Sequence, residues 1–463
     1  PESETRFRLA NLDARIRSDV SGRFAGAEAR LFAVPLDILQ AEGNWRFAGG
    51  KLELSSGAFR RQDREQVDRF QPLIARDATL TLADNRIAAH AVLREPKSDR
   101  VVTAADIVHD LSTGSGHADL DVAGLQFDDK LQPDTLSALA LGVIANAKGV
   151  VTGSGRIEWD AEHVSSRGQF STANLDFAAA FGPVEGVSGT VTFTDLLGLV
   201  TAPNQKLRIR SFNPGIQVDE GDLSFELHPG YELAIQGGSW PFIGGKLILE
   251  PTTTRLTVAD PRHYTLRLEG VDAAQFVERM DLANIAATGT FDGTVPLVFD
   301  QNGGRIEQGR LKSRPPGGNL SYVGELTYKD LSTMANFAFD ALKSLDYREM
   351  EILLDGSLTG EIVTKVRFDG IRQGASAKQN FATRQLAKLP IRFNVNIHAP
   401  FYQLITAVHG LYDPAYVRDP RDLGLIDANG KPVPSLLLNH TPAIKPPATK
   451  PEDLPGDEAT IQP

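Results

Sequence analysis

The chain has 463 residues, 41% of them hydrophobic, with a net charge of −11, 42 glycines, 27 prolines and no cysteine. Such a length could make two to four ordinary domains or one long one, and the lack of cysteine excludes disulfides and thiolate metal sites. The acidic balance, with no strong basic cluster, excludes a nucleic-acid binder, and no stretch approaches the roughly 18 unbroken apolar residues of a membrane helix. Beginning at Pro1 with no signal-like apolar stretch, the sequence reads as a fragment or a processed chain.

The dominant pattern is alternation of apolar and polar residues, the mark of strands whose successive side chains point to opposite faces. It first shows in GNWRFAGGKLEL at 43–54, which returns as GSWPFIGGKLIL at 238–249, with the tryptophan, phenylalanine, glycines, lysine and leucines in the same places. The paired glycines Gly49-Gly50 and Gly244-Gly245 read as a bend between strands. In TLTLADNRIAAHAVL, Leu80 and Leu82 precede Asp84-Asn85 and Ile87, Ala89, Ala91 and Leu93 follow with flipped parity. That flip is what a two-residue hairpin produces.

Further alternating runs are Tyr231 to Ile235, Tyr264 to Leu268, Val295 to Phe299, Leu320 to Tyr328 and Ile391 to Ile397. Pro296 demotes its run to an edge or a bulge, and Asn302-Gly303-Gly304 reads as a turn. From Glu351 to Phe368 the parity is kept across Asp355-Gly356. The segment is therefore one strand of up to roughly 60 Å at ~3.3 Å per residue, or two strands joined by an odd-length loop or a bulge.

Short amphipathic helices are expected at Ser332 to Leu345, after Asp272 through Ala273, Phe276, Val277 and Met280, and around Phe401, Leu404, Ile405 and Val408. Residues 1–430 read as one elongated unit, and 431–463 as a Pro-rich disordered tail. The phrases GVSGTVTFTD at 186, GTFDGTVPLVFD at 289 and GSLTGEIVTKVRFD at 356 share two glycines before an alternating run that reaches Phe. They suggest a sheet grown by repeating one strand-turn recipe without a fixed period.

Chemistry-bearing patterns are scarce. Ser115 in TGSGH and Ser154 in TGSGR lack the G-x-S-x-G elbow of a triad hydrolase, so a turn explains them better. His109, Asp110, His117, Asp119 and Asp121 have no metal-ligand spacing such as H-E-x-x-H, which favours a polar loop and an exposed strand face. The glycine pairs form no phosphate loop, and no cofactor motif is present. Arg305, Arg310, Lys312 and Arg314 could meet anionic head groups, but a solvated strand face is the simpler account. Trp45 and Trp240 suit a core as well as an interface belt.

The expected fold is mainly β: a long, twisted, mostly antiparallel sheet curled into an open, taco-like apolar groove, with a few short helices. Roughly twenty strands at ~4.8 Å give a sheet of about 95 Å, too long for such helices to cover, so it must curl or hold an apolar ligand along its length. An acyl chain fits such a trough best.

The ordered series LQPDTLSAL, AKGVVTGSGRIEWD, APNQKLRIRSFNPGIQVDEGDLSFEL, GGSWPFIGGKLILEP, PPGGNLSYVGEL and LPIRFNVNIHAPFYQLI, with Asn336-Phe337 in its helix, covers about 100–410. It resembles the C-terminal region of the YdbH-like family of intermembrane phospholipid transport proteins, relatives of the AsmA and TamB group. The resemblance implies a non-enzymatic periplasmic protein of a Gram-negative envelope, with phospholipids as cargo. It also implies an inner-membrane anchor not contained in this chain, and an outer membrane or small outer-membrane lipoprotein at the C-terminal end.

On that basis the expected groove lining is Leu320, Tyr322, Leu326, Tyr328, Ile352, Leu354, Leu358, Ile362, Val366, Phe368, Phe393 and Val395. An assembly scaffold presenting sheet edges to outer-membrane partners is the main alternative. A surface β-solenoid enzyme or adhesin would need a closed cross-section and an exposed carboxylate cluster, and the sequence offers no such cluster.

Overall fold

The computed structural model describes residues 6–400 except 17–18, 32–33, 66, 68, 142, 180–181, 214–216, 258–260, 280–284, 301–302, 323–343, 359–360 and 374–392. The expected tail at 431–463, the helix around Phe401 and most of the helix from Ser332 lie outside the described residues.

The first strands run β1 (Arg6–Arg8), β2 (Asn11–Ile16), β3 (Val20–Arg30), β4 (Leu36–Ala48), β5 (Lys51–Asp63), β6 (Leu73–Ala83), β7 (Arg86–Arg94), β8 (Val101–Asp110) and β9 (Ser115–Phe127). Two short 3-10 turns at Pro133–Thr135 and Ala138–Ala140 precede β10 (Ala145–Trp159), β11 (Val164–Ala179) and β12 (Gly182–Asp195). Shorter pieces follow: β13 (Val200–Thr201), β14 (Gln205–Ile209), β15 (Ser211–Phe212), β16 (Gly221–His228), β17 (Glu232–Phe242), β18 (Gly245–Leu249) and β19 (Thr252–Arg255). The last third holds β20 (Arg262–Asp272), α1 (Ala273–Arg279), β21 (Ile285–Ala287), β22 (Thr290–Asp300), β23 (Gly303–Ser313) and β24 (Gly318–Tyr322). It ends in β25 (Leu345–Tyr347), β26 (Glu349–Ser357), β27 (Glu361–Asp369), β28 (Arg372–Gln373) and β29 (Phe393–Pro400).

Twenty-five of these strands form one antiparallel sheet, in which neighbours along the chain are neighbours in space. The sheet does not close into a barrel. β21, β24, β25 and β28 make a separate four-stranded sheet. The meander follows from the turn chemistry wherever the connections are short, because short connections can only pair successive strands antiparallel.

Asp84 (φ 50°) and Asn85 (φ 59°) close the β6–β7 hairpin with Ala83 opposite Arg86, as the parity flip requires. Asn tolerates the left-handed region and a β-branched residue does not, so Asn85→Val should cost about 1–2 kcal/mol. Amide exchange in β6 and β7 would register the loss as faster local opening. The Glu351–Phe368 segment is a pair, with Gly356 opposite Ile362 across a three-residue link, 358–360, which keeps parity. Pro296 sits at a bulge between β22 and β23, although β22 is an internal strand.

Three expectations need correction. Gly303 and Gly304 are paired strand residues opposite Asp300 and Phe299, and so are not turn residues. Leu345, expected to end a helix, begins β25, because it is buried between the two sheets. Gly245 is likewise a strand residue, opposite Phe242. α1 does follow Asp272, whose Oδ1 accepts the Gln275 amide at 2.9 Å, and it is the one α-helix among the described residues.

The meander gives the sheet two unlike margins. Along one, the connections are tight: 49–50, 84–85, 111–114, 160–163, 229–231, 301–302 and 358–360. Along the other they include 64–72, 95–100, 128–144, 273–289 and 314–348, and the last two carry α1, β21, β24 and β25.

Candidate functional site

Residues directly opposite one another in adjacent antiparallel strands project from the same face, so the registers show what each face carries. One line runs Ile16, Val20, Phe47, Leu52, Leu82, Ile87, His109, Gly116, Trp159, Val164. The next, two residues inward, runs Ala14, Gly22, Trp45, Leu54, Leu80, Ala89, Ile107, Ala118, Ile157, Ser166. A third crosses the later strands as Trp240, Leu247, Leu268, Gly293, Leu311, Ile352, Val366. No charged side chain interrupts any of these lines.

The reverse face is ionic. Arg156 pairs with Asp119 (2.7 Å) and Glu158 (2.8 Å), Arg167 with Glu158 (2.8 Å), and His90 with Asp106 (2.7 Å). Arg310 pairs with Glu351 (2.5 Å), Lys312 with Glu349 (2.9 Å) and Arg314 with Asp292 (2.6 Å). Arg267, Arg310, Lys312 and Arg314 rim a shallow hollow of about 390 Å³ there, also lined by Glu269 and Asp292. The Arg314 guanidinium holds the Asp292 carboxyl below its ordinary range. Such exposed pairs contribute little stability each, but they occupy the cations that could otherwise have met an anionic head group.

Cover over the apolar face comes mainly from the margin with long connections. Leu131, Leu136 and Ile144 from 128–144 pack on Val122, Leu125 and Phe127, and Leu136 also reaches Leu73 and Leu93. Phe212 and Val218 pack on Trp240, Ile243 and Leu247, with Phe212 edge-on to Trp240 at 5.1 Å. β25 and α1 pack Leu345, Tyr347 and Ala273 on Phe291, Val366 and Phe368. Burial pushes the Tyr347 hydroxyl up to about 12, and it donates to the Thr288 carbonyl at 2.7 Å.

Leu31, Val34 and Leu36 lie over Ile107, Ala118 and Ile157, four strands and more away, and Leu197 joins them. There the connection 64–72 meets the β12–β13 turn: Arg69 holds Asp63 through two hydrogen bonds (2.8 and 3.2 Å) and donates to the Leu197 carbonyl. Arg64 secures the same corner through Asp37 and the carbonyls of Leu31 and Val34.

Between these covers, part of the face stays open. Val20, Trp45, Leu52, Leu54, Leu80, Leu82 and Ile87 are half-buried and belong to none of the core clusters. Towards the edge the exposure rises, to 46% at Phe47 and 81% at Ile16. A contiguous apolar surface left uncovered on a folded sheet marks a place for an apolar ligand or partner.

The residues expected to line this surface divide. Ile352, Leu354, Val366 and Phe368 share one face of β26 and β27; Ile362 is paired with Gly356, Phe393 with Phe368 and Val395 with Val366. Val366 and Phe368 are buried beneath the small sheet, Ile352 packs against the same cluster, and Leu354 is half-buried outside every cluster. Leu320 stands on β24 and packs into that cluster from the other side, and Tyr322 pairs with Ile285. Leu358 is half-buried next to the β27 start, and Leu326 and Tyr328 lie outside the described residues. The open stretch on β3–β7 was not among the expected lining. The alternation in KLEL and TLTLADNRIAA carried its signal, but alternation does not tell a covered leucine from an open one.

His109 and His117 fall on opposite faces, and among the described residues no group of three or more His, Asp or Glu side chains converges to hold a metal ion. Nor is any helix among the described residues long and apolar enough to cross a membrane.

A long open antiparallel sheet, ionic on one face and largely apolar on the other, defines a class of protein built to present an extended apolar surface. The family comparison agrees and is specific: the chain belongs to the YdbH-like family, described as intermembrane phospholipid transport protein YdbH, whose model matches residues 3–421. The match extends well beyond the 100–410 that the sequence resemblance covered. It is a lipid transport family, not an enzyme family. No curated protein and no solved structure matches the chain.

Proposed function

We propose that this protein is a bridge-like conduit: phospholipid acyl chains lie on the apolar face while head groups stay in water at an open seam. The observation that carries the reading is the register itself, in which apolar residues stand opposite one another strand after strand. Each buried CH₂ is worth ~0.8 kcal/mol, so a lipid with ~30 methylenes faces a barrier of order 20 kcal/mol if it leaves fully for water. A continuous apolar face removes that barrier without chemistry.

The contacts of Leu31, Val34 and Leu36 with Ile107 and Ile157 support a sheet curled over its own face. In this reading the route runs over Leu52, Leu54, Leu80 and Leu82 and continues along Leu354, Leu358, Ile362 and Val395, in the periplasm. The inner membrane supplies one end through an anchor outside this chain. The outer membrane, or a small lipoprotein adding a strand at the last edge, receives the other.

The test is mass spectrometry of organic extracts from protein purified without detergent, beside a matched Leu358→Asp, Ile362→Asp variant. Phospholipid that co-purifies with the wild type and is lost from the folded variant supports the conduit. A folded wild type that carries no lipid and excludes added phospholipid would favour an assembly scaffold. Under that alternative the exposed edge strand β2, all six of whose residues are exposed, would be the working surface.

A further inference from the structure

Arg61 differs from the cations of the outer face. On the outer face Arg156, Arg267, Arg310, Lys312 and Arg314 each have a carboxylate within 3 Å. Arg61 instead stands on the apolar face, opposite Ile38 on one side and Leu73 on the other, because a shift in register near Gly57 moves the odd residues of β5 inward. Among the described residues its side chain makes one hydrogen bond, from Nη2 to the Gln71 carbonyl at 3.0 Å. Its Nε is sealed from water and has no acceptor.

The carboxylate of Asp63 makes no hydrogen bond to it. Both oxygens of Asp63 are taken by Arg69, and Glu65 reaches only Arg69, at 3.9 Å and from the solvent side. The Phe70 ring lies 5.9 Å from the Arg61 guanidinium and 5.3 Å from that of Arg69. Desolvation, with Arg69 adding repulsion, pulls Arg61 from its ordinary 12.5 down to about 10 despite the opposing pull of Asp63. A cation still charged at neutral pH, desolvated and with no carboxylate in hydrogen-bond contact, is costly unless something anionic joins it. The residue keeps partial solvent access, so a ligand can approach it.

We infer that Arg61 is an anion-binding group on the inner face, taking the phosphate of a phospholipid whose acyl chains lie on the neighbouring apolar lines. This deepens the conduit reading and rests on it. In that reading the conduit holds an anchoring station near its long-connection margin, where a lipid pauses head-first against one fixed charge.

The test compares binding of phosphatidylglycerol, phosphatidylethanolamine, diacylglycerol with the same chains, and inorganic phosphate to the whole chain and to its Arg61→Met and Arg61→Lys variants. Wild type should bind the two phospholipids roughly ten- to a hundred-fold more tightly than diacylglycerol, the range expected of a charge-assisted hydrogen bond. Arg61→Met should erase that preference, leave diacylglycerol binding intact and melt no lower than wild type, since an unpaired buried charge is gone. Arg61→Lys should restore part of the preference.

A Met variant that keeps the full preference, or that loses diacylglycerol equally, overturns the assignment. So does wild type binding inorganic phosphate as tightly as lipid, which would make this a free-anion site. Wild type that binds diacylglycerol and phospholipid alike sinks Arg61 alone, whereas wild type that binds neither sinks the conduit reading with it.

Discussion

Leu80→Asp is expected to slow transfer of labelled phospholipid between vesicle populations by at least about a hundredfold, while Ala88→Asp transfers at the wild-type rate. The two sites stand on neighbouring strands, β6 and β7, and face opposite ways: Leu80 lies between Leu54 and Ala89 on the apolar face, and Ala88 between Thr81 and Val108 on the other. A carboxylate pressed against passing methylenes costs several kcal/mol, and about 3 kcal/mol already amounts to a hundredfold in rate. Leu80 is half-buried and outside the packed clusters, so the protein keeps its fold when it is replaced. Circular dichroism of both variants checks that point. Equal transfer rates for the pair would take the apolar face out of the lipid's path.

Trp240→Ala should destabilise its part of the sheet by about 3–5 kcal/mol, and Trp45→Ala by about 1 kcal/mol or less. Trp240 is 3% exposed, edge-on to Phe212 and packed with Ile243 and Leu247. Trp45 is half-buried on the open face, and its Nε1 donates to the Asp13 carbonyl at 3.1 Å. Because so long a sheet opens locally, hydrogen exchange around β17–β18 and around β4–β5 is the suitable measurement. Similar losses at both sites would mean that the open face is covered in solution. Trp240→Phe, which keeps most of the ring and removes an indole N–H that has no acceptor, should cost far less than Trp240→Ala.

These two tryptophans also show how far the sequence could be read. The echo at 43–54 and 238–249 is a pair of hairpins, as the shared words suggest. Their registers nevertheless differ: Trp45 stands opposite Leu54, but Trp240 stands opposite Leu247 rather than Leu249. The first hairpin turns at Gly49 and Gly50 (φ 56° and 78°), the second one place earlier, at Ile243 and Gly244 (φ 48° and 74°). Ile is a poor residue for the left-handed region, yet Ile243 is 3% exposed in the cluster of Trp240 and Val271. Burial outweighs the backbone cost there. Gly245 then lies so close to β20 that a Cβ on it would meet the Glu269 carbonyl at 2.2 Å. Nothing approaches Gly50 within 4 Å, so there the turn alone sets the register.

The sequence by itself determined most of the strands, the hairpin at Asp84-Asn85, the amphipathic faces and the family, because each follows from period-two alternation, local turn chemistry or segment order. Tertiary structure decided which apolar residues are covered and which stay open. It buried Val366 and Phe368 under a second sheet, left Leu54 and Leu80 open, and turned Arg61 inward by a shift in register. The reason is range: alternation is set by a residue's immediate neighbours, whereas cover depends on contacts such as Val34 on Ile157, or Arg69 with Leu197 across 128 residues.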